Sequence, residues 1–322
     1  MRSPAWGRPL AALVALATIV AACGGEASDT ETTLAEAGAD TTEAPPVETT
    51  GVETTVAAET TLPADECAVE NLSLVAPGTL TVATGEPAFP PWVGTTDGEG
   101  FDDPTSKLGF EAALVYAVAA ELGFSDDQVT WVRTEFTEAI APGPKDWDFN
   151  VQQYSITEDR EEVVDFSAPY YTTRQALVVY ADSPYASVAS LADLKDAVLG
   201  AAIGTTSLDF VENVIQPNTQ PNVYDENVDL KSAMDAGQIE GLVLDLPTAY
   251  FVTAVELEGA VIAGQFEAEA ADADEFGLLF AQDNPLVGCV DQALETLRSG
   301  GTLQDLEDTF LTLDGGIPII SG

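Results

Sequence analysis

The chain has 322 residues, of which 46% are hydrophobic and 8% aromatic, enough for one large or two modest globular domains. It carries 55 acidic residues, 10 basic residues and no histidine, and its formal net charge is −45. Such a surface repels nucleic acid and bare anionic lipid, so neither is an expected partner. We interpret the acidity as a solubility feature, including adaptation to salty surroundings; attraction of cationic ligands is the alternative.

The first 22 residues have the pattern of a cleaved signal peptide. Arg2 and Arg8 form a positive N-terminal region, and residues 10–20 form a short apolar run. Val20-Ala21-Ala22-Cys23 resembles the lipobox of bacterial lipoproteins, which implies that Cys23 carries lipid and becomes the mature N-terminus. An uncleaved apolar helix is the alternative, but the run has about 11 residues and a bilayer-spanning helix needs roughly 20.

Residues 23–66 are rich in Thr, Glu, Ala and Pro and contain no aromatic or basic residue. Such a segment buries too little apolar area to offset its ordering entropy, so we predict a disordered linker. Cys67 and Cys289 remain once Cys23 is assigned to lipid. Because an exported protein usually pairs two such cysteines, we expect a disulfide between them; two buried free thiols are the alternative.

Strands and helices alternate along the first part of the predicted fold. The expected elements are a strand at 79–84, a Pro-rich loop at 87–92, a helix at 110–122, a strand at 129–133, a helix from about Thr137, a strand at 149–151 and a helix that starts at Thr157. Apolar residues at i, i+3 and i+4 spacing support the first helix, and Gly123 ends it. This alternation predicts an α/β fold with a largely parallel sheet.

The same alternation starts again at residue 175. The expected elements are a strand at 175–180, a short helix at 191–197, a strand at 199–203, a helix from Leu208, a strand at 241–244, a helix opened by Pro247, a strand that ends at Phe280, and helices at 286–297 and 303–311. We interpret the pattern as two lobes with a ligand cleft between them. Lobe 1 comprises residues 67–174 and 270–322, and lobe 2 comprises residues 175–269.

Polar clusters fall at four predicted strand ends, where α/β sheets bind ligands. Arg160 can hold a carboxylate, because its guanidinium donates two parallel hydrogen bonds. The hydroxyls of Ser155 and Thr206 can assist, and Asp245 can hold an ammonium group. The other candidate contacts are the apolar side chains of Phe89, Trp92 and Phe136 and the polar side chains of Glu86, Gln152, Gln153 and Thr205. Together these groups match an α-amino acid, which carries both charges on one carbon.

Each feature has an ordinary alternative when it is taken alone. Arg160 could pair with Glu161 or Asp165 on the surface, and Asp245 could simply cap a helix. Residues 204–206 match a common strand-to-helix turn, and the aromatic side chains could belong to the core. The convergence of all four clusters is what favours a binding site.

The segment from Gln152 to Arg160, with Val164-Asp165-Phe166-Ser167 and Pro169-Tyr170-Tyr171, resembles the most diagnostic segment of the extracellular solute-binding proteins for polar amino acids (family three). Shorter matches at 109–111, 204–206, 245–247 and 300–303 extend the resemblance over about residues 80–311. The resemblance implies a two-lobed, type II periplasmic-binding-protein fold.

The resemblance also implies roles for single residues. The family's arginine, here Arg160, binds the ligand carboxylate; Ser155 and Thr206 bind its backbone groups; Asp245 binds the ammonium and Phe89 stacks over the side chain. Gln152 and Gln153 stand where small residues are common in the family, which puts the substrate in doubt. Glu158 replaces a frequent proline, a mild change in a first helical turn.

We therefore predict a lipid-anchored receptor on the outer face of the bacterial cytoplasmic membrane that captures an amino acid for the permease of an ABC importer. We expect a monomer without metal, cofactor or catalytic residues. Glu86, Gln152 and Gln153 favour a polar or basic ligand over an aliphatic one. If Glu86 faces the cleft, arginine, lysine or ornithine is favoured; if it faces solvent, glutamine or another neutral ligand fits better.

Two other functional classes stay open. One is an enzyme on the same fold, such as a dehydratase acting on a small carboxylic acid, although the chain has no histidine and no nucleophile motif. The other is a sensor that reports occupancy to a signalling partner, which needs no different pocket.

Overall fold

The computed structural model describes residues 66–267, 273–311 and 316–322. The predicted signal peptide at 1–22, the lipidation site at Cys23 and the linker up to residue 65 lie outside these ranges. Within the described ranges, no helix has both the length and the apolar character needed to cross a bilayer.

Residues 80–173 build most of a first α/β layer. Its elements are β1 (Leu80–Thr84), α1 (Phe110–Glu121), β2 (Val129–Arg133), α2 (Phe136–Ile140), β3 (Phe149–Asn150), α3 (Glu158–Glu161), β4 (Val164–Phe166) and β5 (Tyr171–Thr173). All elements predicted for this part of the chain are present, with ends shifted by at most a few residues.

Residues 175–266 build a second α/β layer. Its elements are β6 (Gln175–Tyr180), β7 (Leu199–Ala202), α4 (Thr206–Phe210), β8 (Asn222–Tyr224), α5 (Asn227–Asp235), β9 (Gly241–Asp245), α6 (Leu246–Phe251) and β10 (Ala260–Phe266). The helix predicted from Leu208 begins earlier, because the Thr205 hydroxyl accepts the Leu208 N–H and caps α4. We did not predict β8, α5 or β10.

The chain then returns to the first layer and ends in the second. The remaining elements are β11 (Asp274–Phe276), β12 (Leu279–Ala281), α7 (Val287–Ser299), α8 (Thr302–Phe310) and β13 (Ile319–Ile320). β13 pairs with β10, which differs from the predicted inclusion of residues 319–320 in lobe 1. The other lobe boundaries stay predictions.

Two mixed sheets organise these elements. The first has the order β2-β1-β3-β12-β4 and the second β13-β10-β6-β9-β7-β8; β11 and β5 form a separate two-stranded ribbon. β1, β2 and β3 are parallel, as are β7, β8 and β9. The sheets are less parallel than predicted, because β6 and β12 run antiparallel to their neighbours.

Each sheet has its own apolar core. In the first, α1, α7 and α8 pack together, and Phe110, Leu114 and Val118 of α1 are fully buried. Burial of each such side chain contributes roughly 1.5–3 kcal/mol. The second core surrounds β6, β9 and β10 and is separate from the first. The two cores leave the carboxyl ends of the parallel strands free to form a site.

A disulfide ties the two ends of the first layer together. Cys67, at the start of the described chain, is bonded to Cys289 of α7, with 5.4 Å between their Cα atoms. The predicted pairing is therefore confirmed. Because Cys289 is buried among the core residues of α7, the bond fixes the N-terminal segment against α1 and α7.

We predict that the C67S/C289S double variant loses about 2–5 kcal/mol of unfolding free energy, since the bond closes a loop over 222 positions of the chain. Urea denaturation of both proteins, followed by circular dichroism, measures the loss. Wild-type protein in reductant should match the variant. Equal unfolding free energies with and without the bond would contradict this expectation.

Candidate functional site

A cavity of about 270 Å³ lies between the two sheets. Segments that follow β1, β2 and β3 line it from the first sheet, and segments that follow β7, β8 and β9 line it from the second. Ten of the eleven predicted contact residues line this cavity: Glu86, Phe89, Phe136, Gln152, Gln153, Ser155, Arg160, Thr205, Thr206 and Asp245. The fold therefore gathers side chains from five distant segments at one place.

Arg160 lies between the sheets and is only 8% exposed. Its Nη1 donates to the Ser155 carbonyl at 2.6 Å, and its Nη2 donates to the Gly204 carbonyl of the second layer at 2.9 Å. Its guanidinium carbon is 5.6 Å from the centre of the Phe136 ring, a cation–π contact. In the described part of the chain Arg160 forms no ion pair with Glu161 or Asp165, so the surface alternative does not hold.

The Arg160 guanidinium keeps donors for a ligand. It has five N–H groups, and two of them donate to protein acceptors in the described ranges. Burial lowers the pKa of Arg160, whereas Asp274 and Asp209 raise it. A buried cation with unused N–H groups on a cavity wall fits a carboxylate or another oxyanion.

Ser155 and Thr206 meet across the cavity, where their hydroxyl oxygens are 3.2 Å apart. The Thr205 hydroxyl has a structural use, because it donates to the Ala202 carbonyl at 2.7 Å and caps α4. Ser155 and Thr206 can therefore turn towards a ligand, whereas Thr205 mainly shapes the helix start.

Asp245 ends β9 and caps α6. Its Oδ1 accepts the Thr248 backbone N–H at 3.0 Å. Burial raises the pKa of Asp245 to about 6; the Thr248 bonds oppose that rise and Asp274 adds to it. No described lysine or arginine forms an ion pair with this carboxyl. Asp245 is thus both a cap and a cavity group that suits an ammonium.

Gln153 is hydrogen-bonded to the buried carboxyl group of Glu111. It has a left-handed backbone, with φ of 51°, and its N–H donates to Glu111 Oε1 at 2.9 Å. The Gln153 side-chain amide and the Tyr170 hydroxyl also donate to the Glu111 carboxyl group. Burial raises the pKa of Glu111 to about 7 against these three bonds. The Gln153 amide is therefore engaged with Glu111, contrary to its expected role in ligand selection.

Gln152 stays available to the cavity. Its Oε1 accepts the Tyr154 hydroxyl at 2.9 Å, which leaves the amide N–H groups free of a described acceptor. A Cβ atom at Gly85 would lie 2.5 Å from the Gln152 Nε2, so the Gln152 amide lies close against the Gly85 backbone. Of the two glutamines, Gln152 is the one that can donate to a ligand.

Phe89 lines the cavity, and its ring stacks on Phe251 of the second layer at 6.3 Å. Trp92 does not line the cavity, which corrects our expectation of an aromatic wall. Its ring is 1% exposed and packs edge-on against Phe110 and Phe276 in the first core.

Gln175, at the crossing into β6, also lines the cavity and was not predicted. Its Nε2 donates to Asp274 at 2.7 Å, and its Oε1 accepts the Ser207 hydroxyl at 2.6 Å. It therefore links both crossing segments to the start of α4. A polar residue that opens an apolar strand is the only sequence feature that could have indicated it.

A second group of unpredicted cavity residues follows β8 and lies on α5 and just after α6. These residues include Asp225, Glu226, Lys231 and Glu256. Lys231 Nζ is 3.1 Å from Glu256 Oε1. Burial raises the pKa of Glu226 to about 7, together with a hydrogen bond to Glu135 of the first layer. This end of the cavity is therefore acidic. It was missed because neither β8 nor α5 was predicted.

The chain is similar to known solute-binding proteins. The sequence model of the bacterial extracellular solute-binding proteins, family 3, matches residues 80–312. The glutamate-binding protein GluB of Corynebacterium glutamicum is 27% identical over 66% of this chain and 76% of its own. The L-cystine-binding protein TcyJ of Escherichia coli K12 is 25% identical over 74% of this chain and 84% of its own.

Solved structures show the same fold. An ancestral arginine-binding protein bound to arginine has a TM-score of 0.59 and 26% identity, and the match covers 73% of this chain and 99% of that one. The two-lobed, type II binding-protein fold predicted from the sequence is thereby confirmed.

We predict that Glu111→Gln flattens the pH dependence of stability. Because its pKa is about 7 in the folded protein and about 4.5 when unfolded, Glu111 holds its proton more tightly when folded. Its contribution is therefore present at low pH and is lost as the pH rises to about 7, by up to about 3 kcal/mol.

Urea unfolding at pH 5 and pH 8 measures this effect. Wild type should lose more unfolding free energy between the two values than Glu111→Gln does. Glu121→Gln, an exposed change on the same helix, should behave as wild type. Identical losses in wild type and Glu111→Gln would refute the assignment.

Proposed function

This chain belongs to the bacterial extracellular solute-binding proteins of family 3, and on that basis we propose that it captures an amino acid for the permease of an ABC importer. Relatives named for binding glutamate, L-cystine and L-arginine support the amino-acid class. Their ligands differ, so similarity supports only the class of ligand. The identity of the ligand has to be inferred from the residues of the site.

One observation carries the proposal: a buried arginine and a carboxyl without a cationic partner line the same cavity from opposite sheets. Arg160 offers N–H groups for a carboxylate, and Asp245 offers an acceptor for an ammonium group. Ser155 and Thr206 supply hydroxyls between them. An α-amino acid satisfies all four groups at once, whereas a simple carboxylic acid would leave Asp245 unpaired.

Ligand capture would stabilise contact between the two layers. Arg160 reaches the Gly204 carbonyl, Ser155 meets Thr206, and Phe89 stacks on Phe251 across the cavity. A ligand held from both sides binds this closed arrangement better than an open one, and its binding energy shifts the population towards it. We infer hinge closure at the crossings between the layers near residues 172–175 and 273–276.

The acidic end of the cavity favours a cationic side chain. β9, β7 and β8 are parallel neighbours, so two strand spacings, about 10 Å, separate the end of β8 from Asp245. That distance suits the long side chain of arginine, lysine or ornithine. Asp225 and Glu226 would face it, and the one described lysine there, Lys231, is paired with Glu256. Glu86 also lines the cavity but is exposed to solvent.

Two further elements of the proposal come from the sequence pattern. We propose a lipid anchor at Cys23 and a position on the outer face of the cytoplasmic membrane, since the leader ends in a lipobox-like motif. We also propose binding without turnover, as the relatives named above are binding proteins. The resemblance to an ancestral precursor of cyclohexadienyl dehydratase, at 24% identity, reflects the shared fold.

We predict that Arg160→Ala weakens amino-acid binding at least 100-fold, because about two charge-assisted hydrogen bonds of 1.5–3 kcal/mol each are lost. Titration calorimetry with L-arginine measures it. Arg298→Ala removes an exposed arginine on α7, which pairs with Glu295, and should bind as wild type does. Near-wild-type affinity in Arg160→Ala would rule out the proposed carboxylate site.

We predict that a thermal-shift screen of the purified protein against the common amino acids selects arginine, lysine or ornithine. A ligand at 100 times its Kd should add about 2.7 kcal/mol of stability. Glu226→Gln should reduce the shift with L-arginine more than any shift with L-glutamine. A stronger response to a neutral amino acid in wild type would contradict the cationic choice, and no response at all would contradict amino-acid capture.

A further inference from the structure

The only polar atom of the Trp92 side chain forms a hydrogen bond with a residue of the second layer. Its indole Nε1 donates to the Thr248 hydroxyl at 2.9 Å, across 156 positions of the chain. Both side chains are 1% exposed, and the Trp92 ring is fixed in the first core by edge-on contacts with Phe110, Tyr171 and Phe276. A buried, directional bond therefore joins the first core to the start of α6.

The backbone around Trp92 is fixed as well. The N–H groups of Phe110 and Glu111 at the start of α1 donate to the Pro91 and Trp92 carbonyls. A Cβ atom at Gly109 would lie 2.5 Å from the Trp92 carbonyl oxygen, so this close approach requires glycine. The indole N–H is thus held at a set position and has little freedom to seek another acceptor.

Thr248 connects Trp92 to Asp245. A hydroxyl has one hydrogen and two lone pairs, and an indole nitrogen can only donate. Trp92 therefore occupies a lone pair of the Thr248 oxygen and leaves the hydroxyl hydrogen for another acceptor. The Asp245 carboxyl group lies close by, because its Oδ1 accepts the Thr248 backbone N–H at 3.0 Å, and the Thr248 side chain lowers the pKa of Asp245. Successive bonds of this kind polarise and strengthen one another.

We propose that Trp92 is a positioning residue of the ligand site: by donating to Thr248 across the closed layers, it orients the Thr248 hydroxyl towards the Asp245 carboxylate that receives the ligand ammonium. The expected effect on ligand affinity rests on the proposed amino-acid function. The geometry rests on Trp92, Thr248 and Asp245 alone.

The relay should be visible in the pH dependence of binding. Asp245 has a raised pKa of about 6, and Asp274, Glu111, Tyr170 and Tyr171 are the other titratable groups that interact with it. Ammonium binding needs the ionised carboxyl, so affinity rises with pH through this value. Loss of the indole N–H frees the Thr248 hydroxyl to reorient, raises the Asp245 pKa and moves the rise in affinity to higher pH.

Calorimetry with L-arginine between pH 5 and pH 8 tests the relay. Trp92→Phe and Thr248→Val should each weaken binding about two- to tenfold, the worth of one hydrogen bond, and shift the profile to higher pH. The double variant should be no weaker than Thr248→Val alone, because both changes break one relay. Additive losses, or an unshifted profile in Trp92→Phe, would overturn the proposal.

Trp131→Phe is the matched control. Its indole Nε1 donates to the Tyr116 hydroxyl at 3.3 Å within the first layer, away from the cavity. It loses the same chemical group, so it should change stability without changing the affinity or the pH profile. A shift in Trp131→Phe equal to that in Trp92→Phe would show that a general loss of packing is responsible.

A ligand-free measurement separates this inference from the proposed function. Carboxyl ¹³C NMR, with Asp245 assigned through Asp245→Asn, follows its titration in wild type, Trp92→Phe and Thr248→Val. A higher Asp245 pKa in both variants supports the relay even if L-arginine does not bind. An unchanged Asp245 pKa overturns the relay whatever amino acid the protein binds.

Discussion

The structure depends on the burial of one cation between two sheets. Removing a guanidinium from water is costly unless acceptors replace the lost solvent. Arg160 obtains one carbonyl from its own layer, at Ser155, and one from the other, at Gly204. The two layers therefore meet at a charged group that the protein satisfies only in part. A ligand carboxylate would supply the remaining acceptors. Ligand binding and contact between the layers would therefore both stabilise the buried guanidinium of Arg160.

The buried carboxylates carry a similar cost, because the chain has few cations to pair with them. With 55 acidic residues and 10 basic ones, most carboxyl groups have no cation to pair with. On the surface water solvates them, but Asp245, Glu226 and Glu111 lie in or beside the cavity, and burial raises the pKa of each. The proposed cationic ligand would relieve that cost at Asp245 and Glu226.

The sequence predicted that the residues at the strand ends lie close together. It did not predict which of their side chains contact other protein groups and which stay available to a ligand. Arg160, Asp245 and Thr206 could be placed at one cleft because parallel strands end at a common edge. The engagement of Gln153 with Glu111 depends on a left-handed backbone conformation at Gln153. The burial of Trp92 depends on its aromatic neighbours in the first core, and a linear pattern encodes neither feature. The acidic end was missed with β8, a three-residue edge strand of weak periodicity.

A crystal structure of the protein grown with L-arginine tests the central claim most directly. The account predicts one molecule between the sheets, with its carboxylate within hydrogen-bonding distance of Arg160, its ammonium on Asp245 and its guanidinium near Glu226. A molecule bound with its head group turned away from Arg160, or bound outside the cavity, would contradict it.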